Sequence, residues 1–287
     1  MSKRFKINIA LLCALCILWG TLCGFSEVLE GETAPDAAYV EVPVYVDGIL
    51  TTSGYIVGGR TYISLSAFSS ALKMSCELKT PAAGMALCAV LGGLEFSVSA
   101  DGSYMTSNGR YFYLADGLCL LGGENCLPGA ELAKLFGAQV QWDVATASVD
   151  IDTTHRQDLQ SGDVFYGEED LKWLSHIINA ESGNQTLEGM MGVGNVVINR
   201  VADPTCPDTI YDVIFDTRYG VQFSPVETGG IYAEPNEQSI IAAKLCLEGY
   251  NTVGESLYFV NPATGSTRWF RETRTFVSTI GDHDFYA

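Results

Sequence analysis

The chain has 287 residues, with 34 acidic against 16 basic side chains and a net charge of −18. That length allows two separate cores, and the charge argues against nucleic acid as a partner, because phosphate binding needs clustered Lys and Arg. Strong acidity keeps a protein soluble and is compatible with a neutral glycan.

Residues 1–26 read as a secretory signal. Lys3, Arg4 and Lys6 precede the apolar run Ile7 to Leu22, and Gly24-Phe25-Ser26 offers small residues before a cleavage point. Left uncleaved, the same run would serve as an anchor and give the only membrane contact. Either way the chain is expected to be exported. Beyond the leader lie Cys76, Cys88, Cys119, Cys126, Cys206 and Cys246. Bridges and buried free thiols both remain open for them, and none forms a CxxC pair.

Residues 27–38 form an acidic linker. From Val40 to Val46 alternation leads into Asp47-Gly48, a strand and a hairpin turn. Gly58-Gly59 separates a second strand from Arg60 to Ile63, and Ser64 to Leu72 is expected to be helical. The unit returns as an internal repeat: Gly109 to Leu114 parallels Gly59 to Ile63, and Asn125 to Phe136 parallels the helix. Gln139 to Asp143 and Val149 to Ile151 then make a closing strand pair. Residues 39–152 resemble the copper amine oxidase N-terminal-like stalk module of exported bacterial wall proteins. The resemblance implies a positioning role or a wall or protein contact. With no histidine in residues 39–152, copper is not expected. Residues 153–167 are polar and aperiodic, a linker.

The chemistry is expected in residues 168–287. Leu171, Leu174, Ile177 and Ile178 share one helical face, and Glu181 follows four and three positions after the last two, on the same apolar stripe. The helix stops at Ser182-Gly183-Asn184, leaving Glu181 at a helix end beside a loop. Burial there would hold its carboxyl protonated near neutrality, as a general acid requires. The pattern equally allows a solvated glutamate in a fraying last turn. Thr186 caps a second helix that carries Leu187, Met190, Met191, Val197 and Ile198 and ends at Asp203-Pro204. Gly189, Gly192 and Gly194 within it imply that another backbone packs closely.

Ala180-Glu181-Ser182-Gly183, the Gly-rich helix ending in NVVINRV, then QFSPV, LYFVNP and IGDHDFYA together resemble the SleB/CwlJ type of cell-wall hydrolase, over about residues 168–287. The resemblance implies a mainly helical lysozyme- or transglycosylase-like domain with a small sheet, so the whole chain is expected to be α+β with two domains. It also implies that Glu181 is the catalytic acid of a peptidoglycan lytic transglycosylase, needing no cofactor and no metal. Family members often carry a second glutamate where this chain has Asn184. Gln222, Phe223 and Ser224 are implied to line the cleft, and the matched motifs add Tyr258, Asn261, Trp269 and His283 as substrate contacts.

Further along, Thr209 to Phe215 reads as a short helix and 218–226 as a loop. Pro235-Asn236 starts a helix that Gly249 closes, and Leu257 to Val260 and Phe276 to Ile280 read as strands. Other chemistries stay open: a hydrolytic muramidase aided by Glu188 or Glu227, or a wall-binding protein that does not cut. A zinc enzyme is disfavoured, because the only histidines are His155, His176 and His283 and no HExxH is present.

Overall fold

The computed structural model describes residues 39–287, apart from Thr264 and Ser266. The signal segment and the first linker lie outside the described residues. No helix among the described residues is long and apolar enough to cross a membrane.

The first region runs β1 (Val40–Val46), β2 (Ile49–Val57), β3 (Arg60–Ser64), α1 (Leu65–Ala71), β4 (Cys76–Lys79), β5 (Met85–Leu91), β6 (Leu94–Ser99), β7 (Tyr104–Ser107), β8 (Arg110–Tyr113), β9 (Cys119–Leu121), β10 (Glu124–Pro128), α2 (Gly129–Leu135), β11 (Gln139–Asp143) and β12 (Ser148–Asp152). Seven strands form one sheet in the order β11-β12-β1-β2-β3-β10-β9, and β4 to β8 form a five-stranded meander. Apart from the parallel pair β1 and β12, neighbours are antiparallel. Five of the hairpin links are two-residue turns with positive φ at both positions: Asp47-Gly48, Gly58-Gly59, Gly92-Gly93, Asn108-Gly109 and Gly122-Gly123. That conformation suits the right-handed twist of the strands it joins, and glycine adopts it without strain. The core between the sheets and helices is aliphatic and aromatic, with Val44, Ile63, Phe68, Leu91, Phe96, Phe112 and Leu132 fully buried.

The internal repeat exists in a different register from the one expected. Gly109 to Leu114 belongs to the meander, not to the repeat. The partner of the Gly58-Gly59 strand is β10, which follows Gly122-Gly123 and leads into α2 just as β3 leads into α1. The two strands pair antiparallel, Ile63 opposite Leu127 and Tyr62 opposite Pro128, so the two strand-helix units meet about the middle of one sheet. Asn125 to Pro128 is accordingly strand, where helix was expected. Strands β4 to β7 carried no expectation.

The second region runs α3 (Gly162–Phe165), α4 (Glu168–Ser182), α5 (Leu187–Ala202), α6 (Ile210–Ile214), α7 (Ser224–Thr228), α8 (Glu237–Leu247), β13 (Tyr258–Val260), α9 (Arg268–Thr273), β14 (Phe276–Ile280) and β15 (His283–Tyr286). Thr186 and Asn236 cap α5 and α8 with their side chains, as the sequence implied. α4, α5 and α8 pack on one another around Leu174, Ile177, Ile178, Met191, Val197, Ala242 and Leu245. The glycines of α5 admit side chains and not a second backbone. A Cβ at Gly194 would fall 2.8 Å from Ile178 and 2.9 Å from the Cys246 sulfur, and one at Gly192 would fall 2.7 Å from Phe285. β15 is the central strand of the three-stranded sheet, between β13 and β14, and is buried along its length.

Residues 153–167, expected as a free linker, are tied down. Gly162 donates its backbone N–H to Asn108, and Asn108 donates its side-chain amide to Leu159. The two regions also share a buried clasp. Arg110 at the start of β8 donates Nη2 to Glu248 at 2.6 Å, Tyr166 donates its hydroxyl to the same carboxylate at 2.6 Å, and the Phe165 ring lies 3.2 Å from the Arg110 guanidinium carbon. The Glu248 side chain is only 4% exposed, so the pair has little competition from water. All six described cysteines are free thiols.

Candidate active site

Glu181 stands one residue before the end of α4, one turn beyond the buried Ile177 and Ile178. Two polar clamps fix this end. On one side Asn236, the cap of α8, donates its backbone N–H to Asn179 at 3.1 Å and its amide to the Gly183 carbonyl at 2.8 Å. On the other, Gln185 donates to Asp282 at 2.8 Å, and the Asp282 N–H donates back to Gln185 at 3.1 Å, tying the turn after α4 to the hairpin between β14 and β15. A fraying terminus lacks such ties, so the backbone that carries Glu181 is fixed.

The side chain itself is partly buried and has no hydrogen-bond or ion-pair partner among the described residues. Burial alone pushes its carboxyl from 4.5 up to about 7, because desolvation disfavours the charged form and no cation offsets it. A partly exposed carboxylic acid that is still about half protonated at pH 7 can donate that proton to a bound oxygen.

The other expected site residues are placed unevenly. Gln222 is half-buried and donates to the Gly220 carbonyl of its own loop at 2.9 Å. Phe223 is 2% exposed and belongs to the helical core, so its ring face is not open to a ligand. Ser224 is exposed at the start of α7, where a loop was expected. His283 is 5% exposed and sits edge-on to Phe259, its Nδ1 without a partner among the described residues and its imidazolium form disfavoured by burial. Both Phe223 and His283 act as packing groups in this structure. Tyr258 and Trp269 are neighbours, with ring centroids 6.0 Å apart, and the Arg274 guanidinium lies within 4.8 Å of both rings. Trp269 remains 49% exposed. Asn261 uses its side-chain oxygen to accept from Ala263 in the turn after β13.

A cavity of about 280 Å³ unites Gln222 and Tyr258 with Arg200, Asp216 and Arg218, and Glu181 is not among its lining residues. Sequence reasoning passed over Arg200 as one residue of a matched helix. A cation on the polar end of an apolar helix was the available signal.

Residues 184–286 match the sequence profile of the Cell Wall Hydrolase family, and residues 45–151 match that of the Copper amine oxidase N-terminal domain. Residues 184–286 are a cell wall hydrolase domain. Glu181 lies just before the matched span of this hydrolase domain. The chain is 32% identical over 120 residues to a spore cortex-lytic enzyme of Bacillus cereus, covering 42% of this chain and 45% of that protein. Against the spore cortex-lytic enzyme of Bacillus subtilis it is 29% identical over 120 residues, 42% of this chain and 38% of that one. The chain thus spans less than half the length of these curated relatives. Among solved structures, the catalytic domain of the germination-specific lytic transglycosylase SleB from Bacillus anthracis is similar at 32% identity with a TM-score of 0.39, covering 42% of this chain and 97% of that one.

Proposed function

We propose that this chain is an exported enzyme that cleaves peptidoglycan glycan strands, acting as a lytic transglycosylase on the spore cortex during germination. Residues 1–26 direct export, residues 39–152 hold the enzyme in position, and residues 168–287 cut. The observation that carries this reading is Glu181: a fixed, partly buried carboxyl without a counter-charge, raised to about 7, beside a hydrolase domain akin to spore cortex-lytic enzymes.

In this reading Glu181 protonates the oxygen that leaves the cleaved β-1,4 bond. As carboxylate it then takes the proton of the muramyl 6-hydroxyl, which closes on C1 to give a 1,6-anhydro end. The substrate supplies the nucleophile, so no second acid is needed. That agrees with the exposed Asn184 and with the exposure of Glu188 and Glu227 to solvent. The test is mass analysis of fragments released from purified cortex by the wild type and by Glu181→Gln. An end 18 Da lighter than a reducing sugar, absent with the variant, is expected. A reducing end in place of the anhydro end would make the chain a hydrolytic muramidase, and a variant that still cuts would remove Glu181 from the chemistry.

A further inference from the structure

The end of α5 far from Glu181 holds a guanidinium that the reaction above does not use. Arg200 donates Nε to the Leu257 carbonyl at 2.8 Å, and its guanidinium carbon lies 5.1 Å from the Phe223 ring centroid and 5.6 Å from that of Tyr258. One hydrogen bond and two aromatic neighbours fix the plane of the group. Among the described residues no acceptor is bonded to its two terminal nitrogens and no carboxylate is paired with it.

Arg200 lines the 280 Å³ cavity that Asp216, Arg218, Tyr219, Gln222 and Tyr258 also line. Asp216 makes no hydrogen bond to Arg200, and Arg218 occupies it through Nε at 3.1 and 3.2 Å and through Nη2 at 3.0 Å. Two guanidiniums against one carboxylate leave the cavity positive in a chain whose net charge is −18. A mostly buried cation without a partner is costly, and a planar anion relieves that cost through two parallel N–H···O bonds. The volume admits a carboxylate-bearing group.

We propose that this cavity is a subsite for the free carboxylate of a peptide substituent on the glycan strand, with Arg200 as a specificity-determining residue. The proposal rests on the reading of the chain as a peptidoglycan-cleaving enzyme. Arg200 lies fourteen residues along α5 from the Thr186 cap, about 20 Å at the helical rise. The carboxylate it holds therefore belongs to a sugar remote from the cleaved bond, and its binding aligns the strand over Glu181.

The test uses the full chain carrying Glu181→Gln, titrated with a short peptide ending in a free carboxylate, with the same peptide ending in an amide, and with inorganic phosphate. Resonances of Gln222 and Tyr258 are followed by NMR. Binding of the carboxylate peptide alone is expected, weakened about tenfold to a hundredfold by Arg200→Gln and about tenfold by Arg200→Lys, whose ammonium cannot make the paired bonds. Equal binding of the amide, preference for phosphate, or no response to Arg200→Gln in a folded variant overturns the subsite. If the Arg200 variants do not fold, the three titrations of the Arg200 protein still decide. A kinetic arm compares Arg200→Lys with wild type on glycan strands with and without peptides. Discrimination between the two should fall about tenfold, whereas an equal loss on both means a merely structural arginine. Residual cutting by Glu181→Gln would refute the catalytic reading and leave the titrations legible.

Discussion

Each region of the molecule buries a glutamate on a helix, and the two are treated differently. Glu131 on α2 is raised by burial, but Lys134, its own backbone and Arg60 act in the opposite direction. Glu181 on α4 is raised by burial with nothing opposing it, to about 7. Glu248, between the regions, is buried against Arg110 and Tyr166. Burial is thus common to these acids, and the absence of a counter-charge is what sets Glu181 apart.

Removing the uncompensated acid gives the sharpest separation. Glu181→Gln should lower the rate of peptidoglycan clearance by about 10²- to 10⁴-fold, while Glu131→Gln leaves it at the wild-type level. Loss of activity from both would mean that either buried acid merely supports the fold. Next in size is the clasp. Arg110→Ala leaves Glu248 desolvated with the Tyr166 hydroxyl but no cation, at a cost of about 3–5 kcal/mol, and calorimetry should resolve two unfolding transitions where the wild type gives one. A single transition at the wild-type temperature would show that the two regions do not depend on this pair.

A third expectation concerns pH. A folded carboxyl raised to about 7 keeps its proton while the unfolded chain, at 4.5, releases its own. The stability this group contributes is thus whole below about pH 4.5, declines as the pH rises, and is lost above about 7, at a total of roughly 3 kcal/mol. Glu181→Gln should cancel that decline, so its gain in denaturant midpoint over wild type grows from pH 4.5 to pH 8. A constant difference would place Glu181 in water. The smallest effect belongs to the first region: Gly59→Ala, at φ +80° with open space around it, should cost about 1 kcal/mol through backbone strain alone, read from the urea midpoint.

Much of the second region was legible because helices announce their ends. Thr186 and Asn236 have the side chains that cap, and the structure shows both accepting from the first turn. Glu181 could be placed on the apolar face of α4 because a period of 3.6 extends from Leu171 to Ile178 without interruption. The hairpin turns Asp47-Gly48 and Gly58-Gly59 were readable for their need of positive φ. The repeat slipped because Gly109, like Gly59, precedes a run led by Arg and carrying aromatics, whereas Gly123 precedes Glu-Asn-Cys-Leu-Pro, and local chemistry alone does not say which sheet a strand joins. β15 escaped notice for a related reason. Its residues His283 to Tyr286 are all buried, so the alternation that marks a half-exposed strand is absent. The interior positions of Phe223 and His283 depend on contacts with Phe259, which no spacing encodes.

The Arg110, Tyr166 and Glu248 clasp makes the joint between the regions a weld in place of a swivel. Wherever the sheets of the first region are held, the carboxyl at the end of α4 rides at a set height and bearing from that point, like a blade on a bracket. If the chain cuts as proposed, the reach of one molecule is then a fixed radius, and fresh bonds come within it only when the whole body lets go and settles elsewhere.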